Sequence, residues 1–192
     1  MKWWKYLAAA LLLYVAVAGV LLPVPRRNIL NETIRNLYFH VPMWFALTVV
    51  LAVSVGYAVA HLRTGKLLYD VWANEAAKVA TLFGVLGILT GSLWARYTWG
   101  TWWTDDVRLN GAARALLVYG AYFVLRASLP DPQQRGRIAA VYNIFAFAAA
   151  LSLLYVKPRL NDSLHPGAGG NPAFSKYDLD NAMRLVFYPA VI

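Results

Sequence analysis

Apolar residues along this chain gather into six runs separated by short polar breaks. The runs span about Tyr6–Leu22, Leu37–His61, Ala73–Trp94, Gly111–Leu125, Ile138–Val156 and Leu179–Ile192. Several approach or exceed the ~18–20 residues that carry a helix across a bilayer. Backbone polar groups in hydrocarbon must pair within their own segment, so these runs predict helices. Glu75 and Lys78, near the start of the third run, can reach back to the headgroups. The first run follows Met1-Lys2-Trp3-Trp4-Lys5 and meets no small-x-small cleavage site before Pro23, so it reads as a retained span. The last run has fourteen residues. At 1.5 Å per residue it reaches ~21 Å against a core of ~30 Å, so it is expected to be truncated. The expected fold is therefore all-α: one integral membrane domain over residues 1–192, a polytopic bundle of six spans.

Composition agrees. The chain is 60% hydrophobic and 14% charged, against ~45–50% and ~25% in soluble domains. It has no cysteine, which excludes disulfides, thiolate metal sites and thiol chemistry of its own. The net charge of +9 is scattered among short loops, which suits lipid headgroups or an anionic ligand better than nucleic acid. No Walker loop, nucleophile elbow or HExxH motif is present, so nothing argues for hydrolysis or for an ATPase module.

Six spans place the loops at about 23–36, 95–110 and 157–178 on one face, and the other loops with the N-terminus on the opposite face. Lysine and arginine do not orient the bundle by their excess. Lys2, Lys5, Arg63, Lys66, Arg126, Arg135 and Arg137 lie on one side; Arg26, Arg27, Arg35, Arg96, Arg108, Lys157, Arg159 and Lys176 lie on the other. An anionic ligand holding some of the second group would explain the balance. The two loops at 95–110 and 157–178 are long, and long loops are commonly functional.

The chemistry gathers on that same face. Trp94, Trp99, Trp102 and Trp103 are half of the eight tryptophans. An interfacial aromatic belt is one reading, and it suits Trp3, Trp4, Trp44 and Trp72. A platform for a flat apolar ligand is the other. If residues 99–106 wind into a helical turn or two, Trp99, Trp102, Trp103 and Asp106 share one side, although Gly100 weakens such a helix by up to ~1 kcal/mol. Asp105, Asp106 and Arg108 can form a local ion pair; alternatively Arg108 or Arg96 meets a ligand carboxylate. His40 and His165 share the face of the tryptophans, whereas His61 lies at the opposite one. Imidazole is a common axial ligand of haem iron, though a lone interfacial histidine is also an ordinary headgroup or water contact. No carboxylate accompanies the histidines at zinc-ligand spacing. Asn143, in the fifth run, suits an interhelical hydrogen bond.

Trp99-Gly100-Thr101-Trp102-Trp103-Thr104-Asp105-Asp106-Val107-Arg108-Leu109 resembles the Trp-rich "WWD" signature of the haem-handling proteins of cytochrome c biogenesis. His40-Val41-Pro42 and the later His165 resemble that group's two flanking histidines. Six spans in about two hundred residues are similar to its smaller branch, the haem exporter protein C (CcmC) family, and Leu179–Pro189 resembles the start of that family's last helix. The likeness runs from about Asn36 to the C-terminus. One position departs: Asp105 stands where the family usually has tryptophan, so a ring is lost and a charge gained.

The resemblance implies a haem chaperone rather than an enzyme. It implies non-covalent haem b with His40 and His165 as axial ligands, and a platform of Trp94, Trp99, Trp102, Trp103, Asp106 and Arg108. It further implies the bacterial inner membrane, with the Trp-rich loop in the periplasm and the N-terminus inside. The implied partners are the periplasmic haem chaperone CcmE, the ABC-type subunits CcmA and CcmB, and the small protein CcmD. Two other readings stand beside it: a cytochrome c synthase-type haem attachment component, and a generic transporter subunit with an aromatic belt.

Overall fold

The computed structural model describes residues 2–26, 29–165 and 179–192. Among them there is no strand, and the expected helices are all found: α1 (Trp3–Leu21), α2 (Leu37–Thr64), α3 (Leu67–Trp99), α4 (Val107–Ser128), α5 (Pro132–Leu151) continued by a π turn (Ser152–Val156) and α6 (Lys157–Leu160), and α7 (Asn181–Val191). A 3₁₀ segment, Asn31–Asn36, leads into α2. Among the described residues, four segments are long and apolar enough to cross a membrane: Trp3–Leu21, Asn31–Thr64, Leu67–Trp99 and Pro132–Leu160. Helix α4 has sufficient length, but Arg114 and Arg126 interrupt its apolar stretch, and α7 has only 11 residues. The loop expected over 157–178 is helical to Leu160; of its remainder only 161–165 lie within the described residues, as neither Arg27 nor Lys176 does.

Helix boundaries follow local chemistry. Gly65 and Gly100 end α2 and α3 in the left-handed region, at φ 69° and 79°, which only glycine enters without steric cost. Asp106, Asp131 and Asp180 cap α4, α5 and α7 by accepting backbone N–H bonds. Helix α3 therefore runs five residues past the expected Trp94, and Trp94 and Trp99 stand on it. Residues 100–106 are not helical, so they form a loop as expected, and the helical turn considered for Trp102 and Trp103 does not form. The cause is the Gly100 stop followed, six residues later, by the Asp106 start.

Among the described residues, two large apolar cores and a small alanine cluster (Ala58, Ala73, Ala140) hold the bundle. The larger lies between α2, α3, α4 and α5 and is built on Leu47, Leu51, Ala77, Ala80, Ala115, Tyr119, Ala139, Ala146 and Ala150. Small residues let the helices approach, because lipid supplies no hydrophobic drive for their association. The second core joins α1 and α7 to the start of α2 through Val15, Leu37, Tyr38, Met183, Val186 and Phe187. Asn143 does bridge helices: its Nδ2 donates to Ser54 Oγ at 2.8 Å, and Tyr119 Oη donates to its Oδ1 at 3.1 Å. Glu75 and Lys78 pair with each other at 2.7 Å on an exposed face.

Candidate functional site

One end of the bundle is open. Two adjoining cavities of about 200 and 230 Å³ share Leu30, His40, Gly91, Trp94 and His165 on their walls. The first adds Trp44, Trp103, Arg108, Tyr155 and Arg159; the second adds Thr98, Trp99 and Leu164. Side chains from all three loops of the expected face thus converge. Each cavity alone falls short of the roughly 300–1,000 Å³ of a ligand pocket, and the two together reach it.

His40 sits on the first turn of α2 and is buried. Gly91 of α3 makes room for it: a Cβ there would stand 2.7 Å from His40 Cε1. Gly87, one turn away, accommodates Trp44 in the same manner, at 2.8 Å from Cε2. The two glycines form a small-xxx-small notch into which α2 lays both rings. The tautomer follows from the partners. Trp44 Nε1 can only donate, so at 3.3 Å it places its hydrogen on the lone pair of His40 Nε2. The ring proton then belongs on Nδ1, which faces Thr90 Oγ1 at 3.1 Å. Thr90 directs its own hydrogen to the carbonyls of Leu86 and Gly87, leaving its oxygen to accept.

His165 is held from the other side. Asp106 caps α4 through the N–H of Arg108 at 2.8 Å, and its second oxygen accepts from Ser163 Oγ at 2.9 Å and from the N–H of Leu164 at 2.7 Å. One carboxylate therefore ties the Trp-rich loop to the segment carrying His165. His165 Nδ1 is shielded from solvent and stands 3.3 Å from Asp106 Oδ1, without a closed hydrogen bond. The His165 ring meets Trp99 edge-on at 5.3 Å. Burial lowers the pKa of His165, the Arg108 charge lowers it further, and Asp106 opposes both. The imidazole is thus held neutral at pH 7 with a lone pair to give. For Asp106, burial acts upward, but the hydrogen bonds from Leu164, Arg108 and Ser163 and the nearby His165 outweigh it and hold the carboxyl below its usual range.

The remaining expected residues divide. Trp94, Trp99, Trp103 and Arg108 line the cavities, and Trp94 is fixed by donating from Nε1 to Thr33 Oγ1 at 3.1 Å. Trp102 is 58% exposed and lines neither cavity. Arg96, the alternative carboxylate partner, is also outside both and donates to the Gly100 carbonyl. Asp105 accepts from Asn110 at 2.6 Å. Arg108's backbone N–H makes the capping bond to Asp106, whose charge also acts on the Arg108 guanidinium. Arg35, one of the basic residues on the expected face, donates to the carbonyls of Gly19 and Leu22 at the end of α1 and pairs with Glu32 at 2.8 Å. His61 lies at the opposite end, with Nδ1 3.0 Å from the carbonyl of Lys66.

Sequence reasoning left Trp44 in an aromatic belt, named neither Thr90 nor Tyr155, and counted Arg159 only among the basic residues of the expected face. The i, i+4 pair His40–Trp44 and the Gly87/Gly91 spacing were available signals for the first two. Tyr155 and Arg159 owe their places to the π turn. Pro158 cannot donate to the carbonyl four residues back, and the wider turn falls just ahead of it. Tyr155 Oη then reaches Thr48 Oγ1 at 2.6 Å.

These features define a multi-pass α-helical membrane protein with a histidine- and tryptophan-lined cleft at one end. The family model described as Heme exporter protein C (CcmC) matches residues 1–187. The chain belongs to that family. A Heme exporter protein C of Bradyrhizobium diazoefficiens is 31% identical over 156 residues, covering 79% of this chain and 57% of the relative. That of Escherichia coli K12 is 24% identical over 156 residues, covering 80% and 61%. A putative cytochrome c biosynthesis ccmC-like mitochondrial protein of Marchantia polymorpha is 32% identical over 90 residues, covering 46% and 39%. The matched region spans less than two thirds of these relatives' length.

Proposed function

We propose that the cleft binds haem as a cargo and that the protein hands it on during cytochrome c biogenesis, without attaching it. The observation carrying this reading is that His40 and His165, 125 positions apart in the sequence, line the same two cavities. Haem iron takes axial imidazoles, and both rings offer a neutral nitrogen. Trp94, Trp99 and Trp103 supply flat apolar walls. Arg108, with Arg159 in the same cleft, supplies positive charge for two propionates. With no cysteine in the chain, there is no thiol to form a thioether, which supports non-covalent haem b as the cargo.

Asp106 is the orienting group. A carboxylate beside the non-ligating nitrogen of a metal-bound histidine fixes its tautomer and raises its basicity. Transfer of haem to a periplasmic chaperone of the CcmE type would place this end of the bundle at the periplasmic face of the inner membrane. Release of the loaded chaperone would fall to CcmA, CcmB and CcmD, since this sequence offers no ATPase motif. An absorption spectrum of the protein purified from haem-replete membranes tests the reading. A Soret band is expected, weakened by His40→Ala or His165→Ala and untouched by His61→Ala. A colourless protein, or equal loss with His61→Ala, overturns it.

A further inference from the structure

We infer that Trp44 is a positioning residue that covers the iron-binding nitrogen of His40, so that the cleft holds its cargo loosely by design. The inference rests on the haem reading and adds a competitor to it. Both nitrogens of His40 are engaged. Thr90 on Nδ1 is compatible with ligation, because it leaves the Nε2 lone pair in place. Trp44 on Nε2 is not compatible: one lone pair cannot accept the indole hydrogen and donate to a metal at once. Trp44 therefore has two opposed effects. It selects the tautomer whose Nε2 can ligate, and it occupies that nitrogen until ligation displaces it.

The indole is built into this position. It lies across Gly87, where a Cβ would stand 2.9 Å from Cζ2 and 3.1 Å from Nε1, so any larger residue would push the ring away. The His40 and Trp44 rings meet edge-on at 6.1 Å, and Trp94 meets His40 edge-on from another side at 6.0 Å. Trp94 Nε1 is spent on Thr33, so Trp44 is the indole whose N–H serves the imidazole. A protein that must give its ligand away gains from such an internal competitor, because the nitrogen vacated on release is covered again within the same helix turn.

Removing the donor should therefore strengthen binding, the opposite of what damage to a site does. The experiment titrates haemin into the detergent-solubilised apo-protein, Trp44→Phe and Trp44→Leu, and then into each variant with His40→Ala added. One net hydrogen bond corresponds to about a two- to tenfold gain in affinity, with slower dissociation, and adding His40→Ala should abolish the gain. Affinity equal to or below wild type, in a variant that elutes as wild type does on size exclusion, overturns the inference. So does a gain that survives His40→Ala, since that gain would come from space and not from the nitrogen. A wild-type protein that takes up no haemin overturns the haem reading itself, and that result is visible before any Trp44 variant is made.

Discussion

Helix α2 carries a histidine near each end, and the two ends of the bundle treat that histidine differently. At the His61 end the neighbours pack closely. Asp70, buried, makes a bidentate pair with Arg126 at 2.5 and 2.9 Å, and the guanidinium lies 5.6 Å from the centre of the Tyr122 ring. Gly136 brings α5 so close that a Cβ there would stand 2.6 Å from His61 Nε2. At the His40 end the histidine is just as well bonded, yet cavities open beside it and two arginines line the first. Burial and hydrogen bonding thus do not tell these two histidines apart, whereas room beside the ring and charge facing that room do.

The largest effect expected from this contrast belongs to the closed end. Arg126→Ala would leave Asp70 buried without its partner, at a cost of about 3–5 kcal/mol. Thermal unfolding in detergent should register that loss, while the Soret absorbance per folded molecule stays at the wild-type level. A spectrum that changes in the folded fraction would mean that the ends are coupled and that the contrast fails.

Next comes Asp106, which serves both stability and the open end. Asp106→Ala removes an N-cap and two further bonds to a charged acceptor, so about 2–3 kcal/mol should be lost, with haem affinity falling about 10–100-fold. Asp106→Asn keeps an oxygen to cap α4 and should recover most of the stability but less of the affinity. If both variants lose affinity only in proportion to unfolding, Asp106 acts as a cap alone.

How far these roles could be read in advance depended on how local they are. The helices were legible because hydrophobic runs of that length have one solution in a bilayer, and the shared face of His40, His165 and the tryptophans followed from counting spans. The loop was legible too, but the helical turn considered over residues 99–106 is absent. Spacing at i, i+3, i+4 describes a helix only where the backbone continues as one, and Gly100 ends it. Asp106 was named as part of a platform, but its bonds to Ser163 and Leu164 join positions nearly sixty residues apart, which no local pattern announces. The Asp70–Arg126 pair was missed for the same reason. Arg159 was placed on the right face by counting spans, but its entry into the cleft follows a π turn that no local pattern announces.

Gly91 offers a smaller test at the boundary between packing and binding. Gly91→Ala would place a methyl against His40, and overpacking of this kind costs about 1–3 kcal/mol. Gly56→Ala, with nothing within 4 Å, is the control on the same bundle. The haem spectrum of Gly91→Ala should shift or weaken while that of Gly56→Ala does not. An unshifted spectrum would show that the notch sets helix distance without positioning the imidazole.

The smallest effects separate two adjacent tryptophans. Trp103 lines the first cavity, and its Nε1 donates to Asn110 Oδ1 at 3.3 Å, whereas Trp102 lines neither cavity. Both are exposed and both belong to the Trp-rich signature, so a platform spread along the loop would weigh them equally. A ring against the ligand contributes about 0.5–1.5 kcal/mol beyond its buried area. Trp103→Ala should therefore weaken haemin binding to the isolated protein about two- to tenfold, and Trp102→Ala should leave it unchanged. Equal losses would extend the binding surface out of the cleft and onto the loop's exposed side. With unequal losses, the loop has an inner ring that holds cargo and an outer ring that does not, and the open end distinguishes even neighbouring residues.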